Sequence, residues 1–509
     1  LEFHENTKHS YVSIRTSRHY LDWANRPYPF KEYEDVETVQ LPRDFPKPVE
    51  GFSKALETEG GGRLDIGLLA SILYFTGGIT RVVNYGGEPF YFRAAPATGA
   101  LYPTEMWAAP ATGALYPTEM YVVAGDVDGL EPGLYHFSPH LFKLHLLRKG
   151  DYRGYLAYNS SSEVAESQAA VVYTSIAWRN AWKYRERSYR HWWWDSGVMV
   201  ANMLSVARAF SIGAKVLIGF VDREVNRLVG VDGVREASII LVPLGRSDSP
   251  PPETPTVEPV NYRVRPLSRR ETEYPAITAI HSASSLNSPE EVKEWREKAS
   301  AKQHQASYGG LERVPLQPQK VETPLYEVIL SRGSTRRFAR KPISFSQLSK
   351  ILHAAATTFE ADFNGPRISI YLNIHAVDGV RPGAYFFDGE ALHALKYGEF
   401  RKVSEYLCLE QELGGDSAAT LFFMAPLEES LRSMGNRGYR AVQLEGGIRA
   451  GFAYLAAYAS GVGATGLTFY DDDVREFFSP HAAGKENIIT VAVGLPAYRP
   501  KPGRIILGV

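Results

Sequence analysis

Two stretches of the chain carry the same alternation of apolar and polar positions, 250 residues apart. "TEMYVVAGDVDGLEPGLYHF" (118–137) and "ISIYLNIHAVDGVRPGAYFF" (368–387) each predict a strand, a Val-Asp-Gly turn, Pro-Gly and a second strand. "SYRHWWWDSGVMVANMLSVARAFSIGA" (188–214) and "GYRAVQLEGGIRAGFAYLAAYASGVGA" (438–464) follow at the same offset. Both predict long helices, apolar or small on most faces and therefore buried. "IGFVDREV" and "LTFYDDDV" each predict a short strand opening into a helix with acids in its first turn. "SIILVPLG" and "NIITVAVG" predict the closing strands. One α+β domain is thus expected twice, over 1–245 and 324–509. The stretch between, 246–323, opens "RSDSPPPETPTVEP" and reads as a Pro-rich linker. A helix is expected near 289–301. Ser288 caps it, Pro289 takes its first position and Glu291 completes a capping box.

Composition narrows the function classes. Hydrophobic residues make up 44%, charged residues 22%, and the formal net charge is −1. That is ordinary for a soluble globular protein and argues against a general attraction to nucleic acid or anionic membrane. A single cysteine, Cys408, excludes an internal disulfide and a multi-cysteine metal site, and fits a reducing cytoplasm. No apolar run is long enough to span a membrane, and "LEFHENTKHS" is no signal peptide. The histidines are scattered without H-E-x-x-H, so no metal site is expected. "GVGATG" (461–466) spells a dinucleotide fingerprint, but it follows a helix and leads into a strand, the reverse of what that site needs. "DDD" (471–473) reads as helix N-terminal acids rather than metal ligands.

Four segments carry candidate chemistry. "RGSTRRF" spaces Arg332, Ser334 and Arg336 by two before a helix. Guanidinium groups bind phosphate oxygens through paired, charge-assisted hydrogen bonds; spacing alone also fits a solvated basic turn. "AYRPKPGR" supplies Arg499, Lys501 and Arg504 in a Pro-bounded loop, or a solvated tail. "WKY" pairs Lys183 with Tyr184. A partly desolvated lysine makes a base and tyrosine its partner; a surface lysine beside a packed tyrosine reads the same. Finally, Ala94 to Met106 recurs letter for letter as Ala108 to Met120. Identity this complete marks a recent duplication or an artefact of the record. Only the second copy runs into a good strand, because Pro110 spoils the run after the first. The second copy is expected to be the working one.

"FHENTKHS", "YLDWANRPYPFKEY", "ATGALYPTEMYVV", "AWKYRERSYR" and "SRGSTRRFARKPISFSQLSKIL" resemble the nitroreductase-like flavoproteins, specifically the SagB-type dehydrogenase branch. Single-domain members are homodimers with FMN at the subunit interface. The resemblance therefore implies two tandem nitroreductase-like domains forming an intrachain pseudo-dimer. It assigns Arg332, Ser334 and Arg336 to the phosphate and pyrimidine edge of FMN, and the basic residues Arg499, Lys501 and Arg504 to the phosphate. It makes Gly113, Ala114, Leu115, Tyr116 and Pro117 the wall beside the ring. Leu467 and Thr468 would face ring N5, although Gly219 of "IGF" fits that pattern better. Lys183 and Tyr184 would handle the substrate proton.

The halves have lost complementary parts. In the C-terminal half "NGPR" replaces the loop, and Ser433-Met434 replace Lys-Tyr. In the N-terminal half the nearest counterpart to the phosphate motif is "RTSRH" (15–19). One good FMN site per chain is expected. The implied activity is that of an FMN-dependent oxidoreductase, a dehydrogenase or oxidase exchanging hydride at flavin N5 with a small-molecule or peptide substrate, with oxygen as an acceptor. An NAD(P)H-dependent nitro or quinone reductase is the first alternative. A flavin-storing or flavin-free binding module is the second. Expected partners include neither nucleic acid nor membrane, and the chain is expected to be a monomeric pseudo-dimer or a higher homo-oligomer.

Overall fold

Helices Ser188–Ala209 and Gly438–Ala459 pack against each other at the centre of the molecule. In this computed structural model residues 1–57, 60–85, 88–95, 115–253, 255–260, 262–300, 310–317, 320–363 and 367–498 are described. Glycine lets the two helix backbones touch. A Cβ on Gly197 would lie 2.8 Å from the Gly447 backbone, and one on Gly447 would lie 2.8 Å from the Trp193 carbonyl. Tyr189 and Tyr439, mates at the 250-residue offset, stack across this axis at 6.3 Å. Nearly every residue of both helices is buried, as their apolar faces predict.

Each half wraps one antiparallel sheet around this pair. The first has the order Thr38–Gln40, Lys143–Lys149, Gly133–Ser138, Thr118–Ala124, Ala169–Ile176, Glu236–Leu244. The second runs Gly463–Leu467, Glu486–Gly494, Ala419–Ala425, Ser369–Ile374, Gly383–Phe387, Ala391–Tyr397, Arg313–Pro315. Registers match as well: Tyr121 sits opposite Val172, and Tyr371 opposite Phe422. The doubling read from the pattern is therefore present strand by strand except at one edge.

One edge differs. "IGFVDREV" forms no strand: just before it Leu217 bridges Leu241 and Val216 bridges Ala361, and within it Val221 bridges Leu286. A loop of the other half has entered beside it. The helix between the halves spans Pro289–Ala299. Ser288 accepts from the Glu291 amide, but the Glu291 carboxylate reaches Asn287 rather than Ser288, so the box closes one residue early. Among the described residues no helix is long and apolar enough to cross a membrane.

Candidate functional site

The "RGSTRRF" segment leaves helix Leu325–Ser331 and leads to helix Phe345–Ala355, which Ser344 and Gln347 start with a capping box. It is pinned to the end of its own half's central helix. The Thr335 amide donates to the Ala464 carbonyl at 2.9 Å, and Thr335 Oγ1 lies 3.3 Å from the Tyr458 hydroxyl, which donates to the Gly333 carbonyl. Tyr454 bonds Ser334 and accepts from the Gly466 amide. Gly463 is obligatory here, because a Cβ would stand 2.2 Å from Thr335 Oγ1. Of the glycines in "GVGATG", Gly463 admits the motif and Gly461, at φ +72°, makes the helix exit.

Arg332 crosses to the other half. Its Nε donates to the Ala94 carbonyl at 2.9 Å and its Nη2 to the Arg93 carbonyl at 3.0 Å. Burial pulls the guanidinium below its ordinary pKa. Arg336 is exposed, and its amide donates to the Tyr498 hydroxyl. Arg332 therefore lies at the junction of the halves, while Ser334 is held by Tyr454 of its own half and Arg336 is exposed. Arg499, Lys501 and Arg504 lie outside the described residues.

Gly113, Ala114 and the whole first copy of the doubled loop after Ala95 also lie outside them. Leu115 and Tyr116 are buried, and strand Thr118–Ala124 follows the second copy as expected. Tyr116 turns back on the loop's stem. Its hydroxyl accepts from the Arg93 amide at 3.1 Å, its carbonyl accepts from Arg179 at 2.9 Å, and the Pro117 carbonyl takes the Ile176 amide. Arg179 also pairs with buried Glu119, which His136 contacts at 3.0 Å. Burial alone would push the Glu119 carboxyl up; Arg179 and His136 outweigh it and hold it far below the usual range.

Helix Ala177–Tyr184 carries Arg179 and, one turn later, Lys183. Lys183 and Tyr184 are both buried. The Tyr184 ring stacks on His191 at 4.2 Å, and His191 meets Trp194 at 4.8 Å. Trp194 donates to Gln443 of the other half and faces Phe469, the neighbour of Thr468. Burial, then Arg187, Arg190 and Lys183, push the His191 pKa well down, so the imidazole is neutral at pH 7. Leu467 ends its strand opposite Thr490, and the Thr468 amide has no acceptor among the described residues. Trp192 and Trp193 are core. Lys183 and Tyr184 line a cavity of about 480 Å³ walled by the N-terminal segment and by Glu410.

Sequence reading missed two reciprocal clamps. Arg187 and Arg190 bind buried Asp471 at 2.9 and 2.7 Å. Their mates Arg437 and Arg440 bind buried Asp222 at 2.6 Å each. Each aspartate opens a helix in one half, and its arginines come from the other. Backbone adds to each clamp, the His9 amide of the other half on Asp471 and the Leu286 amide of the linker on Asp222. Burial opposes ionisation of both carboxyls; the arginines prevail, lowering Asp222 to about 2 and Asp471 further. The signal was the R-x-x-R spacing, which recurs at the 250-residue offset.

The mate of the Arg332 cleft has different contents. Asp362 of the C-terminal half accepts from the Ile218 amide at 3.0 Å and the Gly219 amide at 2.8 Å, and Arg296 holds it at 3.1 Å. The Gly219 amide, which fitted the N5 pattern best by sequence, is thus occupied by a carboxylate of the same chain. "RTSRH" is not the counterpart of the phosphate motif. Arg15 makes two bonds to Glu410 in the cavity that Lys183 and Tyr184 line. The position equivalent to the motif lies between helices Phe52–Glu57 and Ile66–Gly77, where Arg63 pairs with Asp126, Asp128 and Asp248. Ser433, in place of Lys183, bonds Arg367 at 3.4 Å.

Comparison with known proteins accords with this geometry. The nitroreductase family model matches residues 92–246 and 329–495. A Methanocaldococcus jannaschii protein named as a nitroreductase is 31% identical over 171 residues, 31% of this chain and 86% of that one. The crystal structure of an Anabaena variabilis protein, also named as a nitroreductase, superposes with a TM-score of 0.75 at 24% identity, covering 97% of this chain and 99% of that one. The tandem fold is therefore shared along the full length. With two matched regions that together exceed half its length, this chain belongs to the nitroreductase family.

Proposed function

We propose that the chain is an FMN-dependent oxidoreductase of the SagB-type dehydrogenase branch, with one FMN held between its halves. One junction carries the reading: Arg332 of the C-terminal half bonds the carbonyls of Arg93 and Ala94, the stem of the N-terminal half's loop. Arg179 grips the other end of that loop at Tyr116, one turn before Lys183. The donor set suits FMN. Arg332, Ser334 and Arg336, joined by Arg499, Lys501 and Arg504, would hold its phosphate and pyrimidine edge. Gly113, Ala114, Leu115, Tyr116 and Pro117 would wall the ring, and Leu467 with the Thr468 amide would face N5.

Bound FMN supplies a two-electron acceptor and donor. The chain supplies the proton chemistry. Lys183 Nζ takes the substrate proton, with Tyr184 as its partner. Neutral His191, stacked on Tyr184, holds that ring in place. Burial of both groups excludes water from the exchange. A pseudo-dimer needs no second chain to complete this site, and the single cysteine fits a cytoplasmic location.

The names of the relatives favour a second reading, an NAD(P)H-dependent nitro or quinone reductase. Lys183→Ala separates the two. In a dehydrogenase it slows substrate-driven flavin reduction by about 10²–10⁴-fold. In a simple reductase, turnover with NAD(P)H stays within a few-fold. Purified protein should be yellow and release one FMN per chain. A colourless protein that takes up no added FMN sinks both readings and leaves a binding module.

A further inference from the structure

The two halves differ where the short helix before each central helix ends. Helix Ala177–Tyr184 ends at Arg185, whose φ is +50° and ψ −133°. The mate helix Leu427–Met434 ends at Gly435, with φ +64° and ψ −165°. Glycine enters this region without penalty, and an L side chain does not. One half therefore uses the residue the backbone favours, and the other keeps an arginine against it. Strained residues cluster at functional sites; Ser211 (φ +57°) against Gly461 (φ +72°) repeats the exchange at the exits of the central helices, so the cavity that Arg185 lines carries the argument.

Arg185 lines the cavity of about 480 Å³ that also receives Lys183 and Tyr184. Five of the lining residues are Lys or Arg (Lys8, Arg15, Lys183, Arg185, Arg187) against two glutamates, Glu186 and Glu410. The side chain of Arg185 is half exposed, and its contact with Glu186 is long at 3.6 Å. Such a pair is weak and screened by solvent. Lys8 is held by Glu5, Asp472 and Glu486, Arg15 by Glu410 and Arg187 by Asp471, whereas the Arg185 pair is long and exposed, so its guanidinium is available to a ligand in the cavity that Lys183 and Tyr184 also line.

We propose that Arg185 selects the substrate, an anionic molecule whose carboxylate pairs with the guanidinium while its reacting group reaches Lys183 and Tyr184. The inference rests on the FMN reading above. It explains why the strained arginine stands only in the half that keeps Lys-Tyr.

The test uses the flavin-loaded protein, reduced by dithionite without oxygen and mixed with 4-nitrobenzoate or neutral 4-nitrobenzamide. Each nitro group takes two electrons from the reduced flavin and two protons, giving the nitroso compound and water. Reoxidation is read from flavin absorbance. The carboxylate probe should half-saturate at a concentration about tenfold lower, as a charge-assisted pair implies. Arg185→Gly should erase that difference with flavin content unchanged, and Arg185→Lys should keep part of it. Because glycine relieves the strain, the thermal midpoint of Arg185→Gly should stay level or rise. Equal half-saturation of the two probes in the unaltered protein overturns the proposal, and so does a preference that survives Arg185→Gly. A midpoint lowered by several degrees makes Arg185 a structural residue and overturns it too. Absence of flavin defeats the earlier reading instead, and binding of 4-nitrobenzoate, followed by tryptophan quenching, then still tests Arg185.

Discussion

The cleft at Arg332 and its mate at Asp362 are built from equivalent parts of opposite halves. In the first, a guanidinium bonds the stem of the partner half's loop, and the Thr468 amide has no acceptor among the described residues. In the second, the equivalent amides of Ile218 and Gly219 are closed by Asp362 and Arg296. A buried amide left without an acceptor costs about 1–3 kcal/mol. A site released from ligand binding therefore tends to acquire an internal acceptor, and Asp362 is one. The contacts that dock the halves show no such divergence. The Arg-Asp clamps, the stacked Tyr189 and Tyr439, and the Gly197–Gly447 contact are kept on both sides. Docking needs both copies, whereas the proposed chemistry needs one.

The largest expected effect breaks the first cleft. Arg332→Glu sets a carboxylate against the carbonyls of Arg93 and Ala94 and against the proposed phosphate. Losing two charge-assisted bonds should weaken FMN retention at least about 100-fold. Arg63→Glu, in the equivalent segment of the other half, should leave flavin content unchanged. Equal flavin loss from both variants, read by absorbance after desalting, would refute the asymmetry.

The clamps come next. Asp471→Ala and Asp222→Ala each strand two buried guanidiniums, and each should cost about 3–5 kcal/mol in urea unfolding. Near-equal costs would mark the clamps as scaffold. Only Asp471→Ala also releases Arg187, which lines the cavity beside Lys183. The clamps also set the response to acid. Both carboxyls titrate lower folded than unfolded, so their stabilisation is complete above the ordinary aspartate value and lost as pH falls through the folded one. For Asp222 that window runs from 3.8 down to about 2. Tryptophan fluorescence should show unfolding there, and Asp222→Asn should flatten that limb.

The duplication, both central helices and the closing strands were legible because burial writes a period into the sequence, and at a constant offset two copies check each other. Ser288 was legible because a cap is local. Arg332 and Lys183 stood out by residue type, and only resemblance gave them roles. The clamps were hidden in plain letters. First-turn acids such as Asp222 and Asp471 satisfy a local rule, so nothing local points to arginines more than 200 residues away. The counterpart of the phosphate motif was sought at "RTSRH", where basic residues are, although position in the fold puts it beside Gly60 to Arg63. Asp362 was missed because a shortened loop reads as a loss, while a carboxylate that replaces a ligand is visible only in three dimensions.

The smallest effect sharpens the comparison most. Asp362→Asn keeps the side chain's shape, but its amide offers one acceptor to the two backbone N–H groups and turns a donor toward Arg296. The loss should be about 1–3 kcal/mol. Flavin should stay at one per chain, because the segment at Gly60 to Arg63 has no counterpart of Arg332 and Arg63 is already held by three aspartates. If the variant instead took up a second FMN, the internal carboxylate alone would be keeping that cleft shut. The lost phosphate motif would then be a consequence of closure rather than its cause.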